Sequence, residues 1–138
     1  MKDKSEEELN EYERQCDEIR KVNNGYLKLF EKSLSGLSTK TIRRHIDNAD
    51  FYLNDYLLLH EPLPMENGLS RIFGFLDDYY IRKCFATEET WKEMASSIKK
   101  FYQCMRDYGK ITDGAFSVLC DNLKEIADGM VWEEEPIV

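Results

Sequence analysis

The sequence predicts an all-α protein, a single domain of about five helices with a long N-terminal helix. Three observations carry this prediction. Apolar residues recur at steps of three and four along nearly all of the 138 residues, no stretch alternates as a half-buried strand would, and glycine, proline and capping residues punctuate the periodic runs at helix-length intervals. A chain of this length holds one hydrophobic core rather than two.

Two helices organise the rest. The first runs from Ser38 to Leu58 with Ile42, Ile46, Ala49, Leu53 and Tyr56 on one face. The second runs from Thr90 to Tyr108 with Trp91, Met94, Ile98, Phe101, Met105 and Tyr108 on one face. Neither helix buries its stripe alone, so each needs the other and the segments around them.

In chain order, residues 5–35 read as one long helix or two with a break. Ser5 and Glu8 form a capping box. Leu9, Tyr12, Cys16, Ile19, Asn23, Tyr26 and Phe30 then continue at an average step near the coiled-coil period. Gly25 costs about 1 kcal/mol relative to alanine inside a helix, which predicts a kink or break there. A helix packed across the domain is favoured over a dimerising coil. Ser35-Gly36-Leu37-Ser38 is a turn, with Gly36 suited to a helix C-cap and Ser38 or Thr39 to the next N-cap. Pro62 and Pro64 force the chain out of helix. A third helix spans about 65–84 with Leu69, Ile72, Phe73, Leu76, Tyr79 and Tyr80 as its apolar face, and Gly68 and Gly74 allow close approach. Thr87 with Glu88 and Glu89 opens the fourth helix, the acids favourably placed for its dipole, and Gly109 closes it. Thr112 or Asp113 caps a fifth, carrying Phe116, Leu119, Cys120, Leu123 and Ile126 and ended by Gly129. The organisation is thus an N-terminal helical segment (1–35), a helical domain (36–128) and an acidic tail (129–138).

Composition narrows the function classes. With 42% hydrophobic and 12% aromatic residues the chain is globular rather than disordered. No apolar run approaches a membrane span, and the opening Met-Lys-Asp-Lys-Ser-Glu-Glu-Glu carries no secretory h-region. The expected setting is cytoplasmic, with Cys16, Cys84, Cys104 and Cys120 as reduced, buried thiols. The net charge of −8 is uneven: residues 1–35 contribute −2, residues 36–111 are neutral, and residues 112–138 contribute −6. Acidity disfavours a polyanionic partner, while the neutral middle leaves its cations free to cluster on a face.

No catalytic signature is present. Two histidines (His45, His60) and four cysteines occur without one Cys-x-x-Cys or His-x-x-x-His pair, so no metal site is expected. Nothing places a base beside a cysteine. Asp77-Asp78 and Glu88-Glu89 are adjacent acids that point to different helix faces. There is no glycine-rich phosphate loop. The expectation is a protein that is not an enzyme and holds no cofactor. The basic residues are the remaining candidates: Lys40, Arg43 and Arg44 early in the second helix, Lys99 and Lys100 on the fourth, and Arg82-Lys83 ending the third. Cations early in a helix oppose its macrodipole, a cost that a phosphate or acidic partner would offset. Ordinary solvated charge, with Asp47 and Asp50 pairing Arg43 and Arg44, is the favoured alternative.

At the two organising helices the sequence resembles a known family. Ser38-x-x-Thr41-Ile42 with its aromatic-rich continuation looks like the opening of the core-binding, or integrase SAM-like N-terminal, domain of tyrosine recombinases. Thr90, Ile98-Lys99-Lys100-Phe101-Tyr102 and Tyr108-Gly109-Lys110-Ile111 are similar to that family's second hallmark helix. The likeness covers about residues 36–123, and the size is similar to small bacterial proteins that carry this domain alone. His45 replaces a usual tyrosine, Ala49 a usual leucine, and Thr112-Asp113 a usual Asn-Pro. The resemblance implies a SAM-like helical bundle and DNA gripped by Lys40, Arg43, Arg44, Lys99 and Lys100. It implies no recombinase chemistry, because the arginine–histidine–tyrosine catalytic half is missing. Two functions are therefore expected in order: a non-enzymatic adaptor that contacts a protein partner or itself, and a DNA-binding accessory domain. The first predicts a complex that weakens on deleting residues 1–35.

Overall fold

The computed structural model describes residues 4–132. Helix α1 (Lys4–Ser33) runs without interruption through Gly25. It also begins ahead of Ser5, so the expected capping box does not form its N-terminus. Gly25 is exposed, and its cost is outweighed because Asn23, Leu27 and Phe30 on the adjoining turns are buried. Only part of the heptad-like stripe is covered: Cys16, Asn23 and Phe30 are buried, whereas Leu9 stays 54% exposed. The C-terminal half of α1 lies across the domain, and Leu27, Phe30 and Leu34 belong to its single core.

Helix α2 (39–56) starts at Ser38, whose Oγ accepts the Thr41 N–H at 3.1 Å. It is α-helical over Thr39–Asp50 and widens to a π turn over Phe51–Tyr56, where the Leu57 N–H reaches the Tyr52 carbonyl at 3.0 Å. Its buried face is His45, Ala49, Tyr52 and Leu53, with Ile42, Ile46 and Tyr56 only half-buried. The stripe is thus rotated by about one residue from its expected position. The sequence pattern counted His45 as polar, and the fold buries it beside a polar partner described below.

The expected helix 65–84 is two elements. Met65–Ser70 is a 3-10 segment that ends at Arg71 (φ −106°, ψ 6°). Helix α3 (72–84) follows, with a π turn over Phe75–Tyr79 that closes with the Tyr80 N–H on the Phe75 carbonyl. Ile72, Phe75 and Leu76, with Tyr79 and Tyr80 half-buried, follow ordinary steps of three and four, which leaves Phe73 off that face and 39% exposed, the reverse of the expectation for Phe73. The two π turns meet: the Phe75 ring lies 4.8 Å from both the Tyr52 and the Tyr56 rings. Helix α4 (Glu88–Asp107) opens with a capping box between Thr87 and Thr90 and buries Trp91, Met94, Ser97, Ile98, Phe101, Tyr102, Cys104 and Met105. Tyr108, expected on that stripe, is 49% exposed. Gly109 takes φ +72° to end the helix. Helix α5 (Asp113–Gly129) is capped by Thr112 and buries Phe116, Leu119, Leu123 and Ile126 as expected.

Helices α2 and α4 form the most extensive pairing; α1 crosses both, and α5 packs on α4, α3 and the 3-10 segment. Residues 130–132 continue onto this core, with the Trp132 ring 6.3 Å from that of Trp91; the rest of the expected acidic tail lies outside the described residues. The thiols are all free, but Cys84 is exposed and Cys120 half-buried, so burial holds only for Cys16 and Cys104. No described helix is long and apolar enough to cross a membrane.

The connector between α2 and α3 is fixed by two buried phenols. Tyr52 Oη donates to the Gly68 carbonyl at 2.5 Å, and Tyr102 Oη donates to the Met65 carbonyl at 2.7 Å. Burial pushes both phenols well above their ordinary pKa, so they remain donors across the accessible pH range. Gly68 is the close approach that the sequence predicted: a Cβ there would lie 2.1 Å from Tyr102 Oη and 2.9 Å from Tyr52. Gly68→Ala therefore lowers stability by about 2 kcal/mol through overpacking, while Gly25→Ala, which meets nothing within 4 Å, raises it by about 0.5–1 kcal/mol. Urea denaturation of the two variants checks the opposite signs.

Candidate functional site

The structure places the five basic residues singled out in the sequence on α2 (Lys40, Arg43, Arg44) and α4 (Lys99, Lys100). Arg43 lines a hollow over α1 and α2 together with Glu31. Lys99 lines another over α4 and α5, beside Asp121 and Lys124. Lys40 is exposed on the first turn of α2. Arg44 and Lys100 both lie near enough to His45 for their charge to act on it. Arg44 pairs with neither Asp47 nor Asp50; its guanidinium faces Glu93 of α4 at 3.9 Å, and Asp50 instead accepts from Asn54.

His45 is 3% exposed at the α2–α4 seam. Its Nδ1 lies 2.8 Å from Ser97 Oγ, Asn48 Nδ2 donates to the same oxygen at 3.0 Å, and Ser97 Oγ donates to the Glu93 carbonyl at 2.9 Å. Ser97 Oγ thus links His45 and Asn48 of α2 to the backbone of α4. The arrangement satisfies buried polar groups at the α2–α4 contact.

Two further clefts flank the connector, residues 57–71. The first cleft, about 300 Å³, is lined by Tyr56, Leu57, Leu59, His60, Glu61, Leu63, Arg71, Gly74, Asp78, Tyr79 and Arg82. Gly74 makes room there, since a Cβ would lie 2.9 Å from Tyr56 Oη. Arg82 donates to Asp78 at 3.2 Å. Arg71 forms no ion pair with a described residue, and its charge opposes the upward push that burial gives the Tyr56 phenol. The second cleft, about 200 Å³, lies between α1 and the start of the 3-10 segment, lined by Glu18, Ile19, Val22, Asn23, Tyr26, Pro64, Met65 and Glu66. Both combine apolar walls with fixed polar groups, the usual construction of a binding site. Among the described residues no three His, Cys, Asp or Glu side chains are grouped to hold a metal ion.

Sequence reasoning singled out neither Arg71 nor Asn23 as a site residue. Pro62, Pro64, Gly68 and Gly74 did mark the place where the chain leaves helix and approaches its neighbours, and that signal coincides with the clefts. No protein family, curated protein or solved structure matches this chain.

His45 gives this region a pH dependence. Burial first, then the charges of Arg44 and Lys100, hold its pKa below the ordinary 6.5, with Glu93 opposing. As the pH falls beneath that ordinary value, the unfolded chain takes up a proton that the folded chain refuses. Stability is then lost until the folded imidazole also titrates. Unfolding free energy therefore falls as the pH drops through the ordinary imidazole value of 6.5, and His45→Asn, which keeps a hydrogen-bonding group near the Nδ1 position, removes most of that slope in urea titrations.

Proposed function

We propose that this chain is a non-enzymatic helical binding module that contacts protein through the surface around its connector. The observation that carries the reading is the pinned connector itself. Hydroxyl-to-carbonyl bonds from Tyr52 and Tyr102 hold the 3-10 segment of the connector in one conformation between two clefts, and such pre-organisation reduces the entropy lost when a partner binds. The net charge of −8 supports protein over nucleic acid. Leu59, 45% exposed on the rim of the first cleft, offers apolar contact there.

Deleting residues 1–35 is not a clean test, because Leu27, Phe30 and Leu34 are core residues whose loss would unfold the domain. Point variants on the clefts replace it. Affinity capture with the native chain and with Leu59→Glu should differ in a specific protein that binds the native chain, with that interaction reconstituted from purified components. A reconstituted complex indifferent to substitutions on either cleft would contradict the reading.

The likeness of α2 and α4 to a recombinase core-binding domain supports a second reading, a DNA-binding accessory domain. One observation favours it: Arg44 and Lys100, from the two helices that carry the likeness, act on the same imidazole. Fluorescence anisotropy of mixed-sequence duplex DNA at about 50 mM and about 200 mM salt separates the two. The protein-binding reading predicts no binding at either concentration. Micromolar binding at low salt, lost at high salt and in the Arg43→Glu, Arg44→Glu double variant, would replace it with the DNA reading.

A further inference from the structure

We propose that the Asn67-Gly68 peptide of the connector is a spontaneous deamidation site, held back by the two phenol bonds and releasing them once it has reacted. The chemistry is independent of the protein-binding reading; only its effect on the proposed surface rests on that reading.

The sequence holds two Asn-Gly pairs, Asn24-Gly25 and Asn67-Gly68. A glycine after asparagine has no Cβ to keep its backbone nitrogen away from the side-chain amide. That nitrogen, having lost its proton, attacks the asparagine Cγ. The new N–Cγ bond forms, the Cγ–Nδ2 bond breaks, and Nδ2 leaves as ammonia with the proton that the glycine nitrogen gave up. The product is a cyclic succinimide. Water then adds to one of its two carbonyls and opens the ring. Opening at Cγ leaves aspartate. Opening at the backbone carbonyl leaves isoaspartate, whose main chain runs through Cβ and Cγ and is one atom longer. Either way a neutral amide becomes a carboxylate.

Ring closure requires the asparagine ψ to leave the helical region, so the fold decides which pair reacts. Asn24-Gly25 lies well inside the 30-residue α1, where such a change breaks the hydrogen bonds of adjoining turns together. Asn67-Gly68 lies in the six-residue 3-10 segment, with Asn67 exposed to water. The Asn67 N–H reaches the Pro64 carbonyl at 3.0 Å and the Arg71 N–H reaches the Gly68 carbonyl at 3.3 Å, but short 3-10 segments are weakly held by their own bonds. The tertiary restraint comes from Tyr102 Oη on the Met65 carbonyl and Tyr52 Oη on the Gly68 carbonyl, one on each side of the reactive peptide. While both bonds stand, the segment keeps its helical ψ and the amide survives. An opening of the connector is what exposes it to closure.

The consequence follows from the same placement. Isoaspartate adds one main-chain atom between two carbonyls that are anchored to phenols fixed in the core, so both bonds cannot persist. The new carboxylate also stands beside Glu66 in the chain. A transient opening thus becomes permanent, and it displaces Met65 and Glu66 from the second cleft and Arg71 from the first.

Incubation of the full chain at mildly alkaline pH, followed by digestion and isoaspartate mapping by electron-transfer mass spectrometry, tests this. In the urea-unfolded chain both asparagines should react at similar rates, and in the native chain both should slow at least tenfold. In Tyr102→Phe, and separately in Tyr52→Phe, the ratio of product at 67 to product at 24 should rise at least fivefold over the native ratio. Met94→Ala, a loss from the core two turns from Tyr102 on α4, should leave that ratio unchanged. The isoaspartyl chain, separated by its added negative charge, should exchange the Arg71 amide at least tenfold faster than the native chain while α4 keeps its protection. No product at 67 in urea, native reaction at the unfolded rate, an unchanged ratio in either phenol variant, or an equal rise in Met94→Ala would each overturn the gated site. Unaltered Arg71 exchange in the isoaspartyl chain would overturn the release.

Discussion

Two hydroxyl-to-carbonyl hydrogen bonds govern the architecture around the proposed binding surface. Tyr52 of α2 and Tyr102 of α4 reach from the core to the Gly68 and Met65 carbonyls, and in doing so fix a segment that proline and glycine have removed from helix. Each bond also satisfies a buried phenol, and leaving such a donor unpaired costs about 1–3 kcal/mol. With these bonds, a stretch with few helical bonds of its own becomes part of the core. Gly68 is the geometric condition, because only a residue without a side chain lets the phenols approach its backbone so closely.

The same phenols tie the connector to the α2–α4 pairing. That pairing uses a polar seam, His45 and Asn48 against Ser97, while Tyr52 farther along α2 packs on Phe75 of α3. A satisfied polar seam defines one register, since sliding the helices would orphan several buried groups together. The π turn at the end of α2 then rotates Tyr52 toward the connector and Tyr56 toward the first cleft, and the π turn in α3 brings Phe75 against both rings. The two π turns thus contribute Tyr56, Asp78 and Tyr79 to the first cleft, and such turns are frequent at functional sites.

Much of the fold was legible in the sequence. Helix starts at Ser38, Thr87 and Thr112 follow from side-chain oxygens placed to accept orphan amides, and the stripe from Trp91 to Met105 follows from periodicity. What misled was local. Gly25 looked like a break because propensity is a local term, while the burial of Leu27 and Phe30 is a tertiary one. The helix at 65–84 looked continuous because 3-10 and π turns carry no distinct apolar period, and Phe73 was assigned to the wrong face because it directly follows Ile72 in an apolar run. His45 and Ser97 were unreadable as a pair, since a polar residue reveals burial only through a partner 52 positions away. The candidate site was less legible than the fold. The sequence drew attention to cations on α2 and α4, whereas the clefts depend on how α1, the connector and α3 come together, which no spacing along one helix encodes.

The central claim is that the connector is held as rigidly as the core it joins. Native-state amide hydrogen exchange measures this directly at the Asn67 and Arg71 N–H groups, which donate to the Pro64 and Gly68 carbonyls. The structure predicts that both exchange only through large openings, with protection near that of α4, and that Tyr102→Phe accelerates them while leaving the exposed N-terminal turns of α1 unchanged. Exchange of these two amides at the rate of a free loop in the native chain would contradict it, and with it the pre-organised surface on which the binding function rests.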